Sequence, residues 1–103
     1  MYCYICSPYR GNLIRRIRNR RYARALTKRA IDMGYTPITP HLYLTQVLND
    51  NRQQEREKGL KLGLDLLNVC GTMIVGCRYG ITEGMQKEIT QAARMRVDIK
   101  YRG

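Results

Sequence analysis

Residues 72–101 have the sequence TMIVGCRYGITEGMQKEITQAARMRVDIKY, which predicts a strand, a loop, a helix and a second strand in that order. The run Thr72–Gly76 is short and apolar, as is typical of a parallel strand that is covered on both faces. The helix is predicted from Glu83 or Gly84 to Met95, and Val97–Tyr101 alternates as a final strand. Two strands joined through a helix indicate a right-handed crossover in a parallel sheet.

The N-terminal half of the chain repeats this alternation of strands and helices. The predicted elements are a strand over Met1–Cys6, a helix over Leu13–Met33, a brief edge strand over Thr36–Pro40 and a helix over Arg52–Asn68. Residues 41–51 predict a loop, in which Asn51 or a neighbour caps the second helix. Strands that alternate with helices in this way predict an α/β domain with a four-stranded parallel sheet.

Two of the helices have predicted apolar faces. The first helix has a stripe in its second half, formed by Ala25, Leu26, Ala30 and Met33. Its first half lacks a stripe, so that half is expected to face solvent, a ligand or a partner. The second helix has a broad apolar face, which predicts deep burial and consists of Leu60, Leu62, Leu64, Leu66, Leu67 and Val69.

The length and the apolar content bound the kind of protein. A chain of 103 residues and 12.0 kDa predicts one domain, over residues 1–103. No apolar run approaches the roughly 20 residues that a membrane helix needs, so no membrane association is expected. No signal peptide is recognised, because basic residues follow the first short apolar stretch and no cleavage site follows them. The expected compartment is the cytoplasm.

Basic residues outnumber acidic ones by 19 to 8, which gives a net charge of +11. The excess lies in one segment without any acid, formed by Arg10, Arg15, Arg16, Arg18, Arg20, Arg21, Arg24, Lys28 and Arg29. Such a segment suits a nucleic acid, a phosphorylated small molecule or an acidic protein face. A solvated or inter-subunit helix face is the alternative.

The four cysteines predict free thiols rather than a metal site. Cys3 and Cys6 lie three positions apart in a predicted strand, so their side chains point to opposite faces of the sheet and cannot easily share one ion. Buried free thiols in a reducing compartment are therefore expected, without a metal or another cofactor.

Three loops follow predicted strands, and in a parallel sheet such loops meet at one crevice. The first runs from Ser7 through Pro8, Tyr9, Arg10 and Gly11 to Asn12, and its exposed amides at a helix start suit an anion or sugar hydroxyls. The alternative is an ordinary tight turn. The second carries His41, the only histidine, which either contacts a ligand or bonds a nearby carbonyl. The third contains Thr82, Gly84 and Met85 and leads to Glu88, which is either functional or paired with an arginine.

Four segments together resemble the nucleoside 2-deoxyribosyltransferase-like superfamily, and most closely its small bacterial and phage branch. They are Tyr4–Arg10 (YICSPYR), Pro37–Tyr43 (PITPHLY), the second helix with Glu55-Arg56 and Leu66-Leu67, and Ile81–Ile89 (ITEGMQKEI). Their order and spacing span almost the whole chain.

This resemblance implies a flavodoxin-like or Rossmann-like three-layer sandwich, usually in a dimer or higher homo-oligomer whose subunits complete each other's sites. It implies that Glu88 attacks C1′ of a nucleoside or nucleotide and expels the base, and that Tyr4 orients the carboxylate through its hydroxyl. It also implies that the Ser7–Gly11 loop holds the sugar or a 5′-phosphate, with Arg10 as a charge partner.

The chain departs from the superfamily at three acidic positions, which are occupied by Gly63, Gly71 and Thr82. The proton for the leaving base then falls to Asp65 or His41. Gly59 and Gly63 either open space for a ligand or allow close helix packing.

Three functions stay open on the sequence. They are cleavage or transfer at the N-glycosidic bond, capture of a nucleotide without turnover, and nucleic-acid binding through the arginine-rich helix.

Overall fold

The computed structural model describes all residues, 1–103. The strands are β1 (Tyr2–Cys6), β2 (Thr36–Ile38), β3 (Thr72–Gly76) and β4 (Asp98–Arg102). The helices are α1 (Leu13–Asp32), α2 (Leu44–Val47), α3 (Gln53–Leu67) and α4 (Glu83–Arg94), with a 3₁₀ turn over Pro40–Leu42. None of the helices combines the length and the apolar character that crossing a bilayer requires.

The four strands form one sheet in the order β2-β1-β3-β4, and every neighbouring pair is parallel. The predicted α/β architecture is therefore confirmed, and the Pro37-containing strand lies at the sheet edge as expected. Because β1 and β3 are central, their carboxyl ends at Cys6 and Gly76 define the crevice on which the loops converge.

Side chains of the central strands alternate between two cores. Tyr4 and Cys6 point to the face covered by α3 and α4, where Leu67 and Ile89 pack. Cys3 and Ile5 point to the face covered by α1, where they meet Tyr22, Leu26 and Ala30. This alternation gives three layers, and it separates the Cys3 and Cys6 thiols as the strand geometry requires.

The segment 41–51 is not the plain loop that the sequence predicts. It contains the end of the 3₁₀ turn and the short helix α2. The predicted asparagine cap is also wrong, because α3 begins after Arg52, which makes no side-chain cap bond. Asn49 instead accepts a hydrogen bond from the Asn51 amide and forms its own turn.

Both predicted helix faces need correction. On α1, Ala25 and Met33 are exposed, and the buried stripe is Asn19, Tyr22, Ala23, Leu26 and Ala30. On α3, Leu62 is 43% exposed and only Gly63 and Leu67 are fully buried, while Val69 beyond its end is 59% exposed. A helix that packs against one layer fully buries only a narrow stripe, and the apolar residues beside that stripe, Leu60, Leu64 and Leu66, are half-buried.

Replacement of Gly76 by alanine is expected to lower the free energy of unfolding by about 1–3 kcal/mol, the usual cost of overpacking a core. A Cβ there would overlap Leu26 and lie 2.7 Å from the Tyr22 ring. The matched control is Gly71→Ala, whose Cβ would meet only Met1 at 4.0 Å. Urea unfolding curves measure the free energy of unfolding of both variants. Equal midpoints would contradict the close packing of Gly76 against Leu26 and Tyr22.

Candidate active site

Glu88 is the buried acid at the carboxyl edge of the sheet. Thr82 caps α4 by accepting a hydrogen bond from the Met85 amide, and Glu88 follows on the inward face of that helix. Only 5% of Glu88 is exposed. Its Oε1 atom lies 3.4 Å from His41 Nε2, whereas Oε2 is buried without a partner. One carboxylate oxygen is therefore held and the other is free to react.

Tyr4 approaches the same carboxylate from the centre of the sheet. Its side chain is fully buried on β1, and its hydroxyl faces the Glu88 carboxylate, although no hydrogen bond of ordinary length and angle joins the two groups. Burial, followed by the nearby negative charge of Glu88, raises the pKa of the Tyr4 hydroxyl far above its usual range. Tyr4 thus keeps its proton and is suited to donate to a carboxylate or to a substrate oxygen.

His41 and Tyr9 form a stacked pair over Glu88. Their ring centroids lie 4.1 Å apart and the rings are inclined by 16°. The 3₁₀ turn after β2 places His41 here, and the loop after β1 brings Tyr9 to meet it. Burial, with Asp50 and Glu88 nearby, raises the pKa of the Tyr9 hydroxyl. The stack therefore joins the ends of two neighbouring strands directly above the acid.

A small cavity of about 60 Å³, called here the Glu88 cavity, separates α3 from this cluster. Six α3 residues line it, Glu55, Arg56, Gly59, Leu60, Gly63 and Leu64, and their spacing of three and four residues puts them on one side of the helix. A Cβ on Gly63 would lie 3.1 Å from the Tyr4 hydroxyl oxygen. Gly63 thus makes room for the Tyr4 hydroxyl, whereas a Cβ on Gly59 would reach only an ordinary contact with Leu48, at 3.5 Å.

Two cationic side chains also line the Glu88 cavity, Arg56 from α3 and Lys87 from α4. The Nε atom of Arg56 is buried and has no hydrogen-bond partner. Buried guanidinium donors are rarely left unpaired, so this one marks a position for an acceptor. The sequence indicates Arg56 only as part of a motif and does not identify it as a site residue. Its spacing of three and seven residues from Gly59 and Gly63 is the signal that places all three on one helix face.

A larger groove of about 630 Å³, called here the arginine groove, opens beside the cavity. Arg10, Arg16 and Arg20 line it, as do Pro8 and Gly11. The groove and the Glu88 cavity share residues Tyr9, His41, Thr45, Leu48 and Asp50. The Tyr9–His41 stack therefore stands between the two spaces.

An ion pair closes one side of the arginine groove. Arg10 Nε lies 2.7 Å from Asp50 Oδ2, which links the loop after β1 to the segment before α3. The carbonyl of Arg10 accepts a hydrogen bond from the side-chain amide of Asn19, at 3.2 Å. The Arg10 loop is thus held from both sides.

The structure brings some of the predicted site residues together and leaves others apart. Tyr4, Tyr9, His41, Gly84 and Glu88 line the Glu88 cavity, while Pro8, Arg10 and Gly11 line only the arginine groove. Three predicted residues line neither space. Ser7 is fully buried, Met85 lies in the core, and Thr82 caps α4.

Asp65 and His41, the two predicted proton donors for the leaving base, lie in different places. Asp65 is exposed and does not line the cavity, whereas His41 does.

The cysteines lie outside both spaces. Cys3, Cys6 and Cys70 are buried, and Cys77 is exposed. Burial raises the pKa of the Cys3 and Cys70 thiols to about 11, and burial with the Glu88 charge raises that of Cys6 further. No three histidine, cysteine, aspartate or glutamate side chains are grouped to hold a metal ion.

Comparisons with known proteins support the fold. A protein-family model described as a domain of unknown function, DUF7768, matches residues 1–102. A solved structure of a 2-deoxyribosyltransferase from the psychrotolerant bacterium Bacillus psychrosaccharolyticus is similar, with a TM-score of 0.75 and 14% identity. The match covers 98% of this chain and 71% of that one. No curated protein matches the chain in sequence. At 14% identity the likeness is one of fold.

The thiol environments predict selective labelling. At pH 8 an aromatic disulfide reagent is expected to modify only Cys77 in the native chain, because the other thiols are buried and their raised pKa values keep them protonated. Cys77→Ser should abolish this labelling, while denaturation exposes every thiol. Rapid native labelling of the Cys77→Ser variant would contradict the packing of the β1 thiols.

Proposed function

The chain belongs to the DUF7768 family, and we propose that it cleaves or exchanges the N-glycosidic bond of a nucleoside or nucleotide through Glu88. The observation that carries this proposal is the free Oε2 oxygen of a buried glutamate, beside a protonated tyrosine and facing a cavity. A fold shared with a 2-deoxyribosyltransferase supports the same chemistry.

The first step forms a glycosyl ester. Glu88 Oε2 attacks C1′, the C1′–N bond breaks, and its electron pair leaves with the base. His41 holds Oε1, so that the reacting oxygen faces the cavity, and the Tyr4 hydroxyl donates a hydrogen bond to the developing ester or the sugar. The surroundings of Glu88 have low polarity. The positive charge that develops at C1′ in the oxocarbenium-like transition state is therefore stabilised only when the carboxylate lies close to C1′.

The second step restores the enzyme. Water or the ring nitrogen of a second base attacks C1′, the bond from C1′ to Glu88 breaks, and its electron pair returns to the carboxylate. The attacking group loses a proton, either to the departing base or through His41 to solvent. Water gives hydrolysis and a base gives transfer.

Arg56 offers a hydrogen-bond donor on the same side of α3 as Gly63, which has no side chain to offer one. Its unpaired Nε–H donates a hydrogen bond to the base as negative charge develops on it. A guanidinium keeps its proton, so Arg56 stabilises the leaving anion without protonating it. The free base then receives its proton from His41 or from water.

The Glu88 cavity must widen before a nucleoside enters. Its volume of about 60 Å³ is far below the roughly 300–1,000 Å³ of small-molecule sites, whereas the arginine groove lies within that range. The Tyr9–His41 stack is part of the wall between the two spaces. We propose that substrate displaces the Tyr9 ring from this stack while His41 keeps its contact with Glu88, so that the base and C1′ reach Glu88 from the groove side.

Nucleotide capture without turnover is the second candidate. Glycine at position 63 favours it, because no carboxylic acid there can protonate the base. A homo-oligomer and nucleic-acid binding through α1 stay predictions; the exposed side chains of Leu13, Ile14 and Ile17 offer a patch for a second copy.

Replacement of Glu88 by glutamine is expected to reduce base release at least about 1,000-fold, because the amide cannot form the ester. The matched control is Glu83→Gln, which removes an exposed acid from the first turn of the same helix. Chromatography of a panel of nucleosides and nucleotides measures the free base. Equal rates for wild type and Glu88→Gln would refute the nucleophile, and binding without base release in wild type would favour capture.

Replacement of Arg56 by glutamine is expected to reduce the rate about 100-fold for bases that leave poorly and less for bases that leave well. The reason is that a poor leaving group carries more negative charge in the transition state. Rates across bases of graded nitrogen pKa measure this slope. Lys61→Gln, which removes an exposed charge from the same helix, should leave the slope unchanged. An equal loss for every base would show that Arg56 has only a structural role.

A further inference from the structure

We propose that the arginine groove binds the phosphate chain of a nucleotide with two or more phosphate groups, with Arg16 and Arg20 holding the phosphates beyond the first. The inference deepens the proposed function, on which it rests for the nucleoside part of the ligand. It concerns the part of the groove beyond Arg10, whose residues do not line the Glu88 cavity.

The position of the groove relative to the Glu88 cavity is the first support. A nucleotide whose C1′ faces Glu88 has its phosphate end directed away from the carboxylate. The residues that the two spaces share lead from the cavity to Arg10 at the near side of the groove. Arg16 and Arg20 lie on α1, which follows the Arg10 loop. A phosphate chain that passes Arg10 therefore meets α1 next.

The charges of the groove point to a polyanion. Three arginines line it, and its only acid, Asp50, is already paired with Arg10. Arg16 and Arg20 form no ion pair with any acid of the chain. A single phosphate bound at Arg10 would leave these two charges without a counter-charge.

The spacing on α1 strengthens this argument. Arg16 and Arg20 are four residues apart, so they are neighbours on one helix face, where like charges repel and weaken the helix. The only acid on α1 is Asp32, about three turns beyond Arg20. An anion that bridges the two guanidinium groups removes this repulsion, and oxygens of successive phosphates suit such a bridge.

The groove is also built rather than a chance feature of mobile side chains. Asn19 is 2% exposed and lies between Arg16 and Arg20 in sequence, on the same helix face. Its side-chain amide donates to the Arg10 carbonyl, and its oxygen accepts from Arg18. This buried contact fixes the rotation of α1 against the Arg10 loop, so that Arg16 and Arg20 stand beside Arg10.

Asp50 explains why one phosphate is not enough. A phosphate that engages Arg10 competes with an ion pair of 2.7 Å that is already formed. Further phosphates on Arg16 and Arg20 meet no such competitor. Affinity is therefore expected to rise from a nucleoside monophosphate to its triphosphate.

The test measures binding by calorimetry to the Glu88→Gln protein, which prevents turnover. The probes are nucleoside mono-, di- and triphosphates of one base, together with inorganic phosphate and inorganic tripolyphosphate. The triphosphate should bind at least about tenfold more tightly than the monophosphate, and tripolyphosphate more tightly than phosphate. In Arg16→Gln/Arg20→Gln this difference should disappear.

The matched control is Arg21→Gln/Arg24→Gln, which removes the same charge from exposed positions of α1 that line neither space. It should keep the preference for the triphosphate, and circular dichroism checks that both variants fold. Equal affinity of the mono- and triphosphate, or an equal loss in the two double variants, would overturn the proposal. The second result would indicate a diffuse basic surface of the kind that binds nucleic acid.

The two proposals fail separately. Binding of tripolyphosphate that depends on Arg16 and Arg20, without base release from any nucleotide, would refute the reaction and keep the groove. If base is released at rates that do not depend on the number of phosphates and tripolyphosphate does not bind, the proposed reaction stands and the proposed phosphate site is refuted.

Discussion

The burial of the Glu88 carboxylate is the constraint on which the rest of the site depends. A carboxylate that is 5% exposed is costly unless other groups compensate it. Its neighbours come from separate parts of the fold: Tyr4 from the centre of the sheet and His41 from the turn after the edge strand. The parallel pairing of β2, β1 and β3 must therefore form before the acid is held, and this couples the sheet order to the site.

The compensation of Glu88 by its neighbours is incomplete, as the proposed role of this acid requires. The Oε2 oxygen, the Tyr4 hydroxyl and the Arg56 Nε atom are all buried without partners. Native proteins leave few such groups, so three of them around one cavity indicate a space shaped for another molecule's polar atoms. Gly59 and Gly63 keep that space open, because any side chain there would extend into it or against Tyr4.

The sequence predicted the elements well and the orientation of the helices poorly. The apolar run at residues 72–76 and the strand–helix alternation determine a parallel sheet, because few other arrangements cover such strands. Spacing and resemblance single out Glu88 and Tyr4, and the structure places both at one cavity. The α3 face that carries Arg56 is not identified in this way, since a helix with leucines on several sides has no single rotation that its pattern imposes. Thr82 and Met85 share a motif with Glu88, yet a cap and a core position explain them.

The same limit applies to the charge of the chain, and one buried residue resolves it. Nine basic residues lie between positions 10 and 29, and the eight on α1 point in almost every direction around the helix, so their number alone does not distinguish a nucleic-acid surface from a small-molecule site. Asn19 lies among these basic residues in the sequence and, unlike them, it is buried. Its bond to the Arg10 carbonyl sets the rotation of the helix, and rotation decides which arginines meet at the groove. A buried amide, rather than the arginines themselves, thus converts a diffuse charge into a local one.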